Sequence, residues 1–324
     1  MRQYIKHWVE HEKIHKGRQA SGVERYRRTV EMFLEWLEVN DIPLEPGKVS
    51  RSDIDAFMKW LFYQKGNIRN SSRANKLAAV RSFFRFLVYI GIVHEDPTSG
   101  IPTPRFSPKL PVKFTTEELR YIFSMPDTNT EMGIRDLAML MTLYGAGLRV
   151  SELCSLRMGD VIDNGGYIRL NIMGKGGKSR TVTLRTNPSK VLRQWLTIRM
   201  AQGAGLDDMV FVRLHGGNLE GLSPVAVNNV LKKYALKVGI RSSDAFVHKL
   251  RATFATDLYD AGRDRCLYCG HAVEKVDIFE IMHLMGHSDP KTTMRYIAIS
   301  EKVLKKTAIP DRRWKELLEG RADG

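Results

Sequence analysis

A proline-dense stretch divides the chain and limits what it can fold into. Glu95–Lys113 (EDPTSGIPTPRFSPKLPVK) holds five of the twelve prolines: Pro97, Pro102, Pro104, Pro108 and Pro111. Proline lacks an amide donor and fixes φ, so at this density it prevents helix and favours an extended connector. The stretch reads as an interdomain linker, and the 324 residues as two domains. No segment repeats with a period of about 20–50 residues, which excludes a solenoid.

Before the linker the spacing is helical. Tyr26–Val39 sets Val30, Phe33, Leu34 and Leu37 on one face. Ser52-Asp53 caps a helix through Ile54, Phe57, Met58 and Leu61. Ser71-Ser72 opens another, with Leu77, Val80, Phe84 and Leu87 along one side. With a first helix near Gln3–Lys16, these predict a small four-helix domain. After the linker, Thr115-Thr116-Glu117-Glu118 is a capping-type helix start, and a helix follows near Gly133–Tyr144. The period then drops to two. Tyr167–Met173 and Arg180–Leu184 alternate around a turn at Gly174–Lys178, preceded by Asp160–Ile162 and Asn164-Gly165-Gly166. This predicts a small antiparallel meander. Helices are expected near Lys190–Gly203, Pro224–Val238, His248–Ala261, Asp277–Met285, Pro290–Ile297 and Ser300–Thr307. The fold class is thus mainly α with a small antiparallel β-meander, an α+β chain.

Charge narrows the partner. The chain carries 51 Lys+Arg against 36 Asp+Glu, a net +15. The excess is spread over both halves, +6 in residues 1–106 and +9 beyond, so it is not a basic tail on a neutral enzyme. Such an excess favours a polyanion. No apolar run approaches the ~18 residues of a bilayer span; Leu137–Leu143 and Phe86–Val93 are the longest. The polar N-terminus has no apolar signal core. Cys154, Cys266 and Cys269 are too few for a disulfide scaffold. The expectation is a cytoplasmic protein with reduced thiols, neither exported nor membrane-embedded.

Five segments carry groups suited to chemistry. GAGLRVSEL (145–153) places Arg149 just after a glycine-rich turn, three residues from Glu152. In MGKGGKSRTVTL (173–184), Gly177-Lys178-Ser179 invites a P-loop reading. That motif needs glycine where Ile172 stands and a helix where Arg180–Leu184 alternates, so nucleotide hydrolysis is rejected. What remains is a basic hairpin tip, Lys175, Lys178 and Arg180, either solvated or touching phosphate. HKLRATFAT (248–256) puts His248 and Arg251 on one helix face. Within LMGHSDPKTTMRY (284–296), a fourth segment, 284–289, brings His287 at a helix end, and a fifth, 292–296, brings Arg295 and Tyr296. Taken singly, each segment also serves as ordinary structure: a paired surface arginine, a helix-capping histidine, a packed tyrosine.

Together, in this order, the segments resemble the tyrosine recombinases, the phage-type integrases, over about Gln3 to Lys306. The resemblance implies a helical core-binding, SAM-like domain over 1–95, a linker over 96–113 and a catalytic domain over 114–299. A C-terminal tail over 300–324 would dock on a neighbouring protomer. It implies that DNA strands are broken and rejoined without metal, ATP or any other cofactor. Tyr296 would be the nucleophile, and Arg149 and Arg251 the phosphate-binding cations. Lys175 would be the general acid, with Lys178 the competing lysine in the same turn. His248 would assist proton transfer at the tyrosine, and His287 would donate to a phosphate oxygen. Glu152, in the same string as Arg149, would be an orienting group and not a catalyst. Between Lys65 and Arg85 there are six basic residues and no acid. Of these Arg69, Arg73, Lys76 and Arg81, together with Lys178 and Arg180, are the candidate DNA-backbone contacts.

The implied partners are double-stranded DNA with specific recombination sites, a homotetramer in the synaptic complex, and an accessory directionality factor where one is needed. The chain opens almost directly on the core-binding domain, with no room for an arm-binding domain, which points to a Xer-like or transposon-encoded recombinase. Two alternatives stand beside this: a DNA-binding protein of the same fold that does not cleave, and a type IB-like topoisomerase. One departure from the family is the 36-residue step from Arg251 to His287, longer than usual. The extra material, Arg263–Lys275, contains Cys266-x-x-Cys269-x-His271. It reads as a loop with reduced cysteines, as a zinc half-site completed by His283 or Asp264, or as a redox pair.

Overall fold

The computed structural model describes residues 1–63, 68–106, 111–174, 177, 179–214, 219–261, 276–287 and 289–297. The chain divides into two compact units, Met1–Pro108 and Lys109–Gly324. Lys175, Lys178, the 263–275 segment with its cysteines, and the predicted helix and tail over 300–324 lie outside the described residues. No helix among the described residues is long and apolar enough to cross a membrane.

The first unit holds α1 (Ile5–Ile14), α2 (Ala20–Val39), α3 (Arg51–Tyr63) and α4 (Asn70–Tyr89). A 3-10 turn at Arg2–Tyr4 delays α1. α2 begins six residues before its predicted start. Its first turns carry few apolar residues and are braced by Arg27 and Arg28, both donating to Glu24. The predicted apolar stripes close into one core with Trp8, in which aromatic edges meet faces: Trp8 on Phe83 at 5.3 Å and Phe33 on Phe57 at 5.0 Å. Each such side chain contributes about 1.5–3 kcal/mol by leaving water. The buried Glu12 carboxylate accepts from Ser82 Oγ and lies 2.7 Å from Lys16 Nζ. The proline stretch does not hang free along its first half. Ile101 is buried in this core, Arg81 donates to Thr103 Oγ1 and to the Ile101 carbonyl, and Asn70 donates to the Arg105 carbonyl.

The second unit contains α5 (Thr116–Ser124), α6 (Glu131–Gly145), α7 (Val150–Cys154), β1 (Val161–Asp163), β2 (Ile168–Met173) and β3 (Ser179–Leu184), followed by α8 (Thr186–Ala201) and α9 (Pro224–Lys237). The chain continues through α10 (Val247–Ala261), α11 (Ile278–Met285) and α12 (Pro290–Ile297). The capping box is present: Thr115 Oγ1 accepts from Glu118 N while Glu118 accepts from Thr115 N. The sheet is antiparallel in the order β1-β2-β3. Ile168, Leu170 and Ile172 on β2 and Arg180, Val182 and Leu184 on β3 share its buried face. That face joins α6 and α8 in the main core. A smaller cluster joins α10, α11 and α12 through Ala252, Ala255, Ile281, Met285, Tyr296 and Ile297.

Candidate active site

Two turns and a helix bring the site residues together. Gly147 has φ +59°, and a Cβ there would stand 2.2 Å from the Phe254 ring, so both conformation and space require glycine. The turn it makes sets Arg149 at the N-cap of α7 and Glu152 one turn inside. Gly286 is the left-handed C-cap of α11 and turns the chain so that His287 faces α10. α12 then carries Tyr296 to α10, where the Tyr296 hydroxyl lies 2.9 Å from His248 Nε2.

The cations are held by backbone carbonyls and one carboxylate. Arg251 is only 2% exposed and donates to the carbonyls of Gly147 and Met285; its Nη2 lies 3.1 Å from His287 Nε2. Arg149 donates to Gly286 O at 2.9 Å and to Glu152 at 2.7 Å. Glu152 also accepts from the Arg149 amide and from both terminal nitrogens of Arg180, at 3.0 and 2.8 Å. Burial alone raises a carboxyl pKa, but the donors from Arg180 and Arg149 outweigh it and hold Glu152 down at about 2. Burial, then repulsion from Arg149, lowers Arg251 to about 10, which leaves it charged at neutral pH.

The same forces keep the two histidines neutral. Burial first, then Arg251 and Arg149, lower His248, and bring His287 down to about 3. Burial raises the Tyr296 hydroxyl, with Arg251 and Arg149 pulling the other way. His287 Nδ1 lies 2.8 Å from Thr293 Oγ1, and its ring stacks on Tyr296. These groups face a cleft of about 1210 Å³ that Arg180, His283 and Arg295 also line, and among the described residues that line it there is no carboxylate. The arrangement suits an anion with a hydroxyl poised beside it. Nowhere among the described residues do three His, Cys, Asp or Glu side chains converge as a metal site would need.

Of the six predicted catalytic residues, Arg149, His248, Arg251, His287 and Tyr296 share this cleft; Lys175 lies outside the described residues, although the hairpin's Gly174 and Ser179 line it. Arg180 departs from its expected place at the hairpin tip. It is 8% exposed, with Nε on the Leu284 carbonyl and both other nitrogens on Glu152, so its side chain is turned into the protein and not displayed at the hairpin tip. In the first unit, Arg69 is exposed. Arg73 donates to Asn70 and lies over the Phe62 ring, Lys76 rests on Met32 Sδ, and Arg81 is engaged by residues 101 and 103. The sequence reading missed Thr293, whose contact with His287 depends on the turn between α11 and α12.

Residues 113–302 match the phage integrase family, and residues 5–90 match the phage integrase N-terminal SAM-like domain. A tyrosine recombinase XerD of Listeria innocua serovar 6a is 32% identical over 295 residues, 90% of this chain and 92% of that protein. Among solved structures, the XerH site-specific recombinase bound to a palindromic difH substrate superposes with a TM-score of 0.69 at 19% identity, covering 88% of this chain and 78% of that one. A lambda integrase tetramer bound to a Holliday junction gives 0.66 at 16% identity, covering 91% and 76%. At those identities the two structures speak for the fold.

Proposed function

Because the chain belongs to the phage integrase family and is therefore a tyrosine site-specific recombinase, we propose that it cleaves and rejoins double-stranded DNA through a covalent 3′-phosphotyrosine link on Tyr296. The observation that carries this reading is the Tyr296 hydroxyl, 2.9 Å from a neutral His248 at the wall of a cleft lined by arginines.

Tyr296 Oη attacks the scissile phosphorus. With Nδ1 carrying the ring proton, His248 Nε2 accepts the phenolic proton. The raised Tyr296 pKa makes that transfer necessary, and the lowered His248 pKa keeps the acceptor empty. Negative charge grows on the phosphate oxygens, and Arg149 and Arg251 meet it with charged, pre-positioned donors. The bond to the 5′ oxygen breaks as Lys175 protonates it, leaving a free 5′-hydroxyl. In the free site His287 Nε2 faces Arg251 Nη2, which can only donate; once the phosphate enters, the tautomer with its proton on Nε2 donates to a phosphate oxygen, and the Thr293 hydroxyl, able to give or accept a hydrogen bond, serves Nδ1 in either tautomer. Rejoining reverses these steps. The covalent link keeps the phosphodiester energy, so the reaction calls for no ATP. The arginines supply the charge that a metal ion supplies in other phosphoryl transfers.

On this reading the chain acts at specific sites as a tetramer, in a Xer-like role of dimer resolution or in integration and excision of a mobile element. Arg69 and Arg73 contact the backbone from the first unit. The test uses nicked duplexes from the DNA flanking the gene, incubated with wild type and Tyr296→Phe without metal. A denaturation-resistant adduct with wild type alone supports the proposal. Specific binding with no adduct favours the non-cleaving alternative, and relaxation of plasmids lacking any site favours the topoisomerase.

A further inference from the structure

Arg180 is the buried cation of the cleft that the reaction does not use. Its three nitrogens reach two neighbouring elements from β3: Nη1 and Nη2 take both oxygens of Glu152 in α7, and Nε takes the Leu284 carbonyl in the last turn of α11. The next two carbonyls along that turn, Met285 O and Gly286 O, are acceptors for Arg251 and Arg149. The fit is close, since a Cβ at Gly286 would stand 3.0 Å from Arg180 Nη1. A buried guanidinium with every nitrogen engaged is costly to desolvate and geometrically exact, which suits it to orienting its neighbours more than to adding stability.

We infer that Arg180 is a positioning residue for cleavage: by gripping both oxygens of Glu152 and the end of α11, it fixes the supports from which Arg149 and Arg251 present their remaining donors to the scissile phosphate. The inference rests on the recombinase reading for its consequence and on this hydrogen-bond network for its premise. The charged groups facing the Glu152 carboxylate are Arg149 at 2.7 Å, Arg180 at 2.8 Å and Arg251 at 3.9 Å. Without Arg180, the carboxylate keeps Arg149 as its one close charged partner, leans toward Arg251, and is easier to protonate.

Two measurements test this on Arg180→Met and Arg180→Lys, each first checked by thermal melting for a wild-type-like fold. The first needs no DNA. In protein labelled with ¹³C-glutamate, the Glu152 carboxyl signal, assigned by its absence in Glu152→Gln, is followed against pH. The expected result is a carboxylate that stays ionised down to pH ~4 in wild type and titrates above that value in Arg180→Met. A Glu152 that titrates alike in both proteins overturns the inference, whatever the chain does to DNA. The second is single-turnover adduct formation on a nicked duplex that wild type cleaves and Tyr296→Phe does not, a control that isolates failure of the recombinase reading. At saturating DNA, Arg180→Met should cleave on the order of 100-fold more slowly, with a new loss of rate as pH falls. Arg180→Lys, which restores the charge but not the fork, should fall between the two. Binding and its salt dependence should stay as in wild type. Weakened binding with a salt slope reduced by about one, at unchanged saturated rate, overturns the inference and returns Arg180 to the DNA backbone.

Discussion

Arginines of the two units are held in opposite ways where each unit's candidate DNA contacts and site cations are compared. In the first, Arg69 is exposed and Arg85 has a side chain 69% exposed, its nearest carboxylate 3.8 Å away on Asp96. In the second, Arg180 and Arg251 are almost wholly buried and anchored at several atoms. A cation in water is screened within about 10 Å at ordinary salt, and contributes affinity that salt removes. A buried, fully held cation needs no rearrangement when charge develops beside it. On the proposed function, the contrast puts salt-sensitive attraction at Arg69 and Arg85 and chemistry at Arg251 and its neighbours.

Four experiments break or sharpen that contrast. The largest effect is expected from Tyr296→Phe, which should abolish the covalent adduct while DNA binding by gel shift stays intact; parallel loss of binding would dissolve the division. Arg251→Ala should lower the single-turnover cleavage rate by about 10²- to 10³-fold at saturating DNA, as loss of one pre-positioned donor does elsewhere. A pH profile of cleavage comes next. Lowering the histidine pKa keeps His248 in its basic form to more acid pH, so the rate should hold as pH falls through 6.5 and drop only below it. A profile that falls already between pH 7.5 and 6.5 contradicts the buried, cation-flanked histidine. The smallest effect belongs to Arg69→Ala, which should weaken binding less than tenfold, reduce the slope of log K against log salt by about 0.9, and leave the saturated rate unchanged.

The aromatic core of the first unit is legible in the sequence because Phe33, Leu34, Leu37, Leu77, Phe84 and Leu87 recur at helical spacing, and all six are buried. Boundaries are less so. α8 begins at Thr186, four residues before its predicted start, because Pro188 sits in the first turn, where a missing amide breaks no helical bond. Arg180 is legible by strand parity and masked by its charge. Val182 and Leu184 face the core, so parity alone turns Arg180 inward with them, but its charge and the neighbouring lysines suggested the surface. Other features leave no local trace. Arg251 is anchored on carbonyls 104 and 34 positions away, and every residue type offers a carbonyl.

That last feature shapes how the site can vary. The acceptors that aim Arg149 and Arg251 at Gly147, Met285 and Gly286 belong to the main chain, so no substitution deletes them. A mutational scan should therefore be quiet at Met285 for any side chain that fits the core, and severe at Gly147 and Gly286, where a single added methyl displaces the carbonyl without removing it. Heritable tuning of the main-chain share of this support runs through two glycines, and that of the side-chain share through Glu152 and the arginine that grips it.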